Sequence, residues 1–131
     1  MKIYIVDDDE PVRRALSLLA RSEGLESEAF ACGADFLTAI DGIEPESLSG
    51  CLLLDICMPD TSGLELQREL RRRGVQLPVI VITGHGDVPT AVQAMQGGAL
   101  DFVEKPLDSD DLLIRISSCL NGETARRQTA Q

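Results

Sequence analysis

Short apolar runs rich in β-branched residues alternate five times with longer amphipathic stretches, and this alternation constrains the fold more than any other feature. The spacing predicts strands at 2–6, 26–30, 51–54, 78–82 and 101–103. Leu52 to Leu54 and Val79 to Ile82 are continuously apolar, as central parallel strands covered on both faces must be. Helices fit between the strands. Pro11 lies in the first turn of a helix running to about Glu23, with Asp9 or Glu10 as its cap and Gly24 after its end. A second helix is expected at 34–40, where Cys32 and Gly33 offer weaker capping. Ser62-Gly63-Leu64-Glu65 has the form of a capping box and opens a helix that closes at Gly74. Asp87, ahead of Pro89, caps a helix at 88–97. Asp108 or Ser109 caps the last helix, through about Leu120, whose Leu112, Leu113, Ile116 and Leu120 form an apolar stripe. Five βα units in series imply an α/β fold, a parallel sheet with five helices on both faces and right-handed crossovers.

At 131 residues the chain has the size of one domain, and a hydrophobic fraction of 44% suits a folded core. With no Trp and one Tyr, that core must be aliphatic. The formal net charge of −10 repels phosphate backbones, so direct binding to nucleic acid or to an anionic membrane is not expected. Cys32, Cys51, Cys57 and Cys119 show no paired spacing, and His85 is the single histidine. The cysteines read as small hydrophobes in a reducing compartment, not as a zinc site. The N-terminus turns acidic at Asp7, too soon for a signal peptide, and no apolar run approaches a membrane span. A soluble, cytoplasmic protein is expected. From Gly122 the chain turns polar and loses its apolar period, so 122–131 is expected to be a frayed helix end entering a linker.

In an open α/β sheet, ligands bind outside the carboxyl ends of the strands. The residues that follow each predicted strand are therefore informative. Strand one is followed by Asp7-Asp8-Asp9-Glu10, strand three by Asp55, strand four by Thr83 and Gly84, and strand five by Lys105 and Pro106. Strand two delivers only Ala31-Cys32-Gly33. Crowded carboxylates repel, and a hard divalent cation with oxygen ligands relieves the repulsion. An ammonium and a hydroxyl can hold the oxygens of a phosphoryl group in flight, and one carboxylate at the end of the central strand can act as nucleophile. Gly84 and Gly86 keep the loop after Thr83 small. Each residue alone has a plainer explanation: helix-start acids favoured by the macrodipole, a turn Asp, a strand-end Thr, a surface Lys. Their joint arrival on one edge does not. Arg71, Arg72 and Arg73, at a helix end, read as a solvated cluster without assigned function.

Four segments then resemble the response regulator receiver family, in order and spacing. They are Ile5-Val6-Asp7-Asp8-Asp9-Glu10-Pro11, the run from Leu54 through Met58-Pro59-Asp60 to Gly63, Ile82-Thr83-Gly84-His85-Gly86-Asp87-Val88-Pro89, and Asp101-Phe102-Val103-Glu104-Lys105-Pro106. The third and fourth most resemble the FixJ-type branch, whose members usually carry a LuxR-type output domain. The resemblance implies the flavodoxin-like receiver fold with strand order 2-1-3-4-5, a receiver at 1–121, and a linker from 122 toward an output domain absent from this sequence. It implies that Asp55 takes a phosphoryl group from a sensor histidine kinase. It implies that Asp8, Asp55 and the backbone carbonyl of Cys57 coordinate Mg²⁺ or Mn²⁺, with Asp7 supporting the ion through water. Thr83 and Lys105 would bind phosphoryl oxygens, Phe102 would be the switch aromatic, and the Lys105-Pro106 peptide would be cis. Cys57 and His85 occupy positions that vary in the family and tune phosphoryl lifetime. The domain would catalyse only its own phosphorylation and dephosphorylation. Its helix 88–97, with Val92, Met95 and Gln96 outward, and its fifth strand would form a phosphorylation-dependent homodimer, reaching DNA only through the output domain.

Three other readings are weaker. A phosphohydrolase of the haloacid-dehalogenase kind wants a second Asp two residues after the nucleophile, where this chain has Cys57, and it wants a cap domain. A degenerate docking receiver would lack acceptor, metal or phosphate-binding residues, all of which are filled. A dinucleotide-binding domain needs a glycine-rich turn after strand one, where aspartates stand.

Overall fold

The computed structural model describes residues 1–56, 58, 62–84 and 88–129, with side chains to residue 122. Its elements alternate as the apolar runs require: β1 (Lys2–Val6), α1 (Glu10–Ser22), β2 (Glu26–Phe30), α2 (Gly33–Ile40), β3 (Gly50–Asp55), α3 (Gly63–Arg72), β4 (Val79–Thr83), α4 (Val88–Gln96), β5 (Asp101–Glu104) and α5 (Ser109–Thr129). One 3₁₀ turn, Pro45–Ser47, leads toward β3. All strand pairs are parallel and the sheet order is β2-β1-β3-β4-β5.

The two-residue period of the strands divides the core in two. Tyr4, Val6, Leu52, Leu54, Val79 and Val81 pack on one face with Phe36 of α2, Leu66 and Leu70 of α3 and Ala94 of α4. The alternate residues Ile3, Ile5, Cys51, Leu53, Ile80 and Ile82 pack on the other with Leu16 and Ala20 of α1 and Leu112, Ile116 and Cys119 of α5. Burial on both faces explains why β3 and β4 carry no polar residue before Asp55 and Thr83. The polar strand β2 is one edge of the sheet and β5 the other.

Element ends follow local chemistry. The Ser62 hydroxyl accepts from the Glu65 N–H at 3.2 Å, closing the expected cap of α3. Asp108 caps α5, accepting from the N–H groups of Asp110 and Asp111 at 3.0 and 3.2 Å. Pro78 stays outside β4, since it has no N–H to give the ladder, although its carbonyl accepts from Leu52 at 2.9 Å. The strands run on to Asp55, Thr83 and Glu104, slightly beyond the predicted ends. The larger difference is at α5, expected to end near Leu120 but helical to Thr129. Loss of the apolar stripe removes packing, but Ala, Arg, Glu and Gln after Gly122 are good helix formers and sustain the backbone. The expected cap Asp87 lies outside the described residues. Among the described residues, no helix is long and apolar enough to cross a membrane.

One close approach ties α3 to the end of β3. A Cβ at Gly63 would stand 2.6 Å from the Ile56 Cα and 3.0 Å from the Asp55 carbonyl oxygen. Gly63 N–H donates to the Ile56 carbonyl at 3.3 Å. Gly63→Ala should therefore cost about 2 kcal/mol or more, by driving backbone against backbone. Urea unfolding should show a lower midpoint with an unchanged slope; an unchanged midpoint would contradict this packing.

Candidate functional site

The parallel register aligns the strand ends. Val6 pairs with Leu54, Asp55 with Ile82 and Thr83 with Glu104. Asp7, Asp55, Thr83 and Lys105 thus arrive together at the carboxyl edge of the sheet. Strand order reverses direction between β1 and β3, the crevice where open α/β sheets bind ligands. Asp7 and Asp55 stand on its two sides, both buried, with exposed Asp8 beside them. One carboxylate oxygen from each of the three lies within 4.8 Å of the others.

A single ammonium serves this group. Lys105 Nζ is 3.4 Å from Asp7 Oδ2 and 3.6 Å from Asp55 Oδ2. Asp7 Oδ1 accepts from the Asp9 N–H at 2.8 Å, and Asp9, expected as a cap, stands at the N-cap of α1 but makes no side-chain cap bond. Asp7 Oδ2 is fully buried with no hydrogen-bond donor among the described residues, so its contact with Lys105 is an ion pair only. Burial pushes the Asp7 carboxyl above its usual range, the Asp9 N–H opposes this, the Asp55 charge adds to it and Lys105 opposes again. For Lys105, burial works downward, but the charges of Asp55 and then Asp7 outweigh it and raise the ammonium. An unsatisfied buried carboxylate oxygen beside two more carboxylates is a donor set that suits a hard divalent cation.

Thr83 is buried at the end of β4, and its hydroxyl donates to the Val103 carbonyl at 3.4 Å, a long and weak bond. Beside it, no described residue other than its chain neighbours would lie within 4 Å of a Cβ at Gly84. Phe102 is partly buried against the α2–α3–α4 core face. The Lys105-Pro106 peptide is cis, as the family resemblance implies. Cys57, whose carbonyl was expected to join the cation, and His85 and Gly86 lie outside the described residues. Sequence patterns did not mark Arg13. It donates through Nη1 to the Asp7 backbone carbonyl at 2.8 Å and steadies the turn from β1 into α1. An arginine one turn into a helix that opens on four acids was the only signal available.

The family profile described as the response regulator receiver domain matches residues 3–117. The chain is 45% identical to the response regulator protein TodT of Pseudomonas putida over 128 residues, 98% of this chain and 55% of that protein. Among solved structures, the response regulator StyR superposes with a TM-score of 0.87 at 42% identity, covering 98% of this chain and 63% of that one. FixJ-N gives a TM-score of 0.78 at 42% identity, covering 91% of each chain. The chain spans about half the length of the curated relatives it matches. By fold, by residues and by likeness, the chain belongs to the response regulator receiver domain family.

Proposed function

We propose that this domain accepts a phosphoryl group on Asp55 from the phosphohistidine of a sensor kinase, with Mg²⁺ or Mn²⁺ bound, and converts it into a change at α4 and β5. The observation that carries this reading is the gathering of Asp7, Asp8 and Asp55 within 4.8 Å beside a single ammonium. Asp8 and Asp55 would hold the cation together with the Cys57 carbonyl, and Asp7 would support it through water. When bound, the cation offsets the negative charge that builds as a phosphoryl group approaches carboxylates.

The chain's own residues do the rest. An Asp55 oxygen forms the new P–O bond as the donor's P–N bond breaks, and the departing imidazole keeps the electron pair. Lys105, already within ion-pair reach of Asp55, is placed to pair with an oxygen of the attached group. To reach another oxygen, the Thr83 hydroxyl must give up its bond to Val103, which disturbs β5 and the segment leading to α4. Phe102, in the strand beside Thr83, would move inward with it. Val92, Met95 and Gln96 are exposed on α4, as expected of a face that meets a second copy of the domain. Residues 122–131 would lead to an output domain that contacts DNA, in keeping with relatives of nearly twice this length. A two-fold pairing would bring two such domains together.

Acetyl phosphate with Mg²⁺ should add one phosphoryl group, labile to base and hydroxylamine, and Asp55→Asn or excess EDTA should abolish the labelling. Robust labelling of Asp55→Asn would remove Asp55 from the mechanism.

The pH dependence of cation binding tests Asp7. Its proton must leave before a cation gains full benefit, so affinity should weaken on acidification at a higher pH than an ordinary aspartate would give. The linkage has the opposite sign for the cation-free fold. A raised carboxyl contributes stability that is present below its unfolded value and is lost as pH rises through its folded value. Asp7→Asn should therefore raise the melting temperature near neutral pH without cation, while reducing the further rise on adding Mg²⁺. A lower melting temperature without cation would contradict the assignment.

Sedimentation with Mg²⁺ and beryllofluoride should convert the domain from monomer to dimer, and Met95→Asp should block the conversion. A persistent monomer at high concentration would refute the dimer.

A further inference from the structure

Four polar or charged side chains are buried among the described residues: Asp7, Asp55, Thr83 and Gln67. Three stand at the site. Gln67 does not. It projects from α3, and its Nε2 donates to the Ala94 carbonyl of α4 at 2.8 Å. One turn further, Arg71 donates through Nη2 to the carbonyl of Gly97, just past the end of α4. The two side chains are four residues apart and so rise from one face of α3. Both bonds land on carbonyls at the C-terminal end of α4, where the macrodipole favours a cation. The approach is close: a Cβ at Gly97 would stand 3.3 Å from the Gln67 amide, and one at Gly98 would make the Arg71 guanidinium shift.

The other end of α4 follows Thr83 and Gly84, and Val88 there is 52% exposed. We propose that Gln67 and Arg71 are positioning residues that pin the C-terminal end of α4 to α3 and make it the pivot of the switch. The trigger rests on the phosphoacceptor reading above; the pin does not. A helix held at neither end would follow a displaced loop by sliding. Held at one end, it converts a displacement near Thr83 into a rotation, with the largest travel at Val88 and Val92. The exposed face then changes most where it adjoins the site, and packing against α3 persists in both arrangements.

Residue-resolved amide exchange on the full chain tests both parts, using wild type and the double variant Gln67→Leu, Arg71→Ala. Arg71 is exposed and Leu preserves most of the Gln67 volume. Ala94 O also accepts from Ala99 N–H at 3.0 Å, so the Gln67 change leaves that carbonyl paired. As a check on folding, Arg71→Ala alone should show a smaller effect of the same sign. Without any activator, exchange at Gly97, Gly98 and Ala99 should rise about fivefold to tenfold in the double variant, with β1 and β3 amides unchanged. Unchanged exchange at those three amides would overturn the pin. With Mg²⁺ and beryllofluoride, wild-type changes should concentrate at 88–92, and the last turn of α4 should stay within about twofold. In the double variant they should spread to the last turn, while labelling of Asp55 by acetyl phosphate stays at the wild-type level. Equal changes at both ends of α4 in wild type would overturn the pivot. A wild-type protein unresponsive to beryllofluoride throughout would instead refute the phosphoacceptor reading and the swing with it, and the activator-free arm would still decide the pin.

Discussion

Like-charge repulsion at the carboxyl edge of the sheet is the constraint on which the rest of this structure turns. Three carboxylates within 4.8 Å of one another repel and oppose the fold. Two of them are buried, where water cannot screen the penalty. What holds them is the aliphatic packing of β1 and β3 on both faces, since those strands cannot slip in register without exposing a whole row of apolar side chains. Lys105 offsets part of the repulsion, and the Asp9 N–H takes another part on Asp7. The core stabilises and the site opposes, an arrangement typical of functional sites.

Much of this was legible in the sequence because it depends on short-range pattern. Short apolar, β-branched runs set between amphipathic stretches located all five strands, and the carboxyl-edge rule converted strand ends into a list of site residues. Once the strands are parallel and in register, Asp7, Asp55, Thr83 and Lys105 have no choice but to meet. The cap of α3 at Ser62 followed the same logic, because a capping box closes within three residues. At α5 the apolar stripe marked where packing ends, whereas the helix itself continues on backbone propensity to Thr129. Stripe and helix are different quantities, and only the first was read.

Contacts spanning long sequence distances were not legible. Arg71, Arg72 and Arg73 look alike as a run of charge, but they divide. Arg72 and Arg73 both pair with Glu69, whose carboxyl these guanidinium groups hold down at about 2, whereas Arg71 crosses to Gly97. The Glu69 pairs lie at the surface, where ion pairs contribute little to stability. Gln67, inside an amphipathic helix, gave no hint that its amide would be buried against a carbonyl 27 residues away. Nor could Arg13 be assigned to the Asp7 carbonyl, since the bond depends on the path of the β1–α1 turn. The orientation of Thr83 was equally hidden: sequence places the residue, but its rotamer depends on which acceptor is nearest, here Val103.

If Asp55 accepts a phosphoryl group as proposed, charge counting at the site gives a reason for it to move Thr83 rather than merely occupy space. Among the described residues, the three gathered carboxylates against the Lys105 ammonium leave two negative charges, a value that one divalent cation matches. On the proposed reading, converting the Asp55 carboxylate into an acyl phosphate would add one more negative charge, with the cation and Lys105 already engaged. The excess falls on oxygens near strand ends, where water is partly excluded and an unpaired acceptor is costly. Among the described side chains, Thr83 offers a hydroxyl whose existing bond, at 3.4 Å to Val103, is weak enough to exchange for a charge-assisted one. On the proposed reading the direction of the switch would follow from that inequality: the stronger acceptor would draw the hydroxyl, and α4 and β5, joined to Thr83 by chain and by ladder, would adjust to its new position.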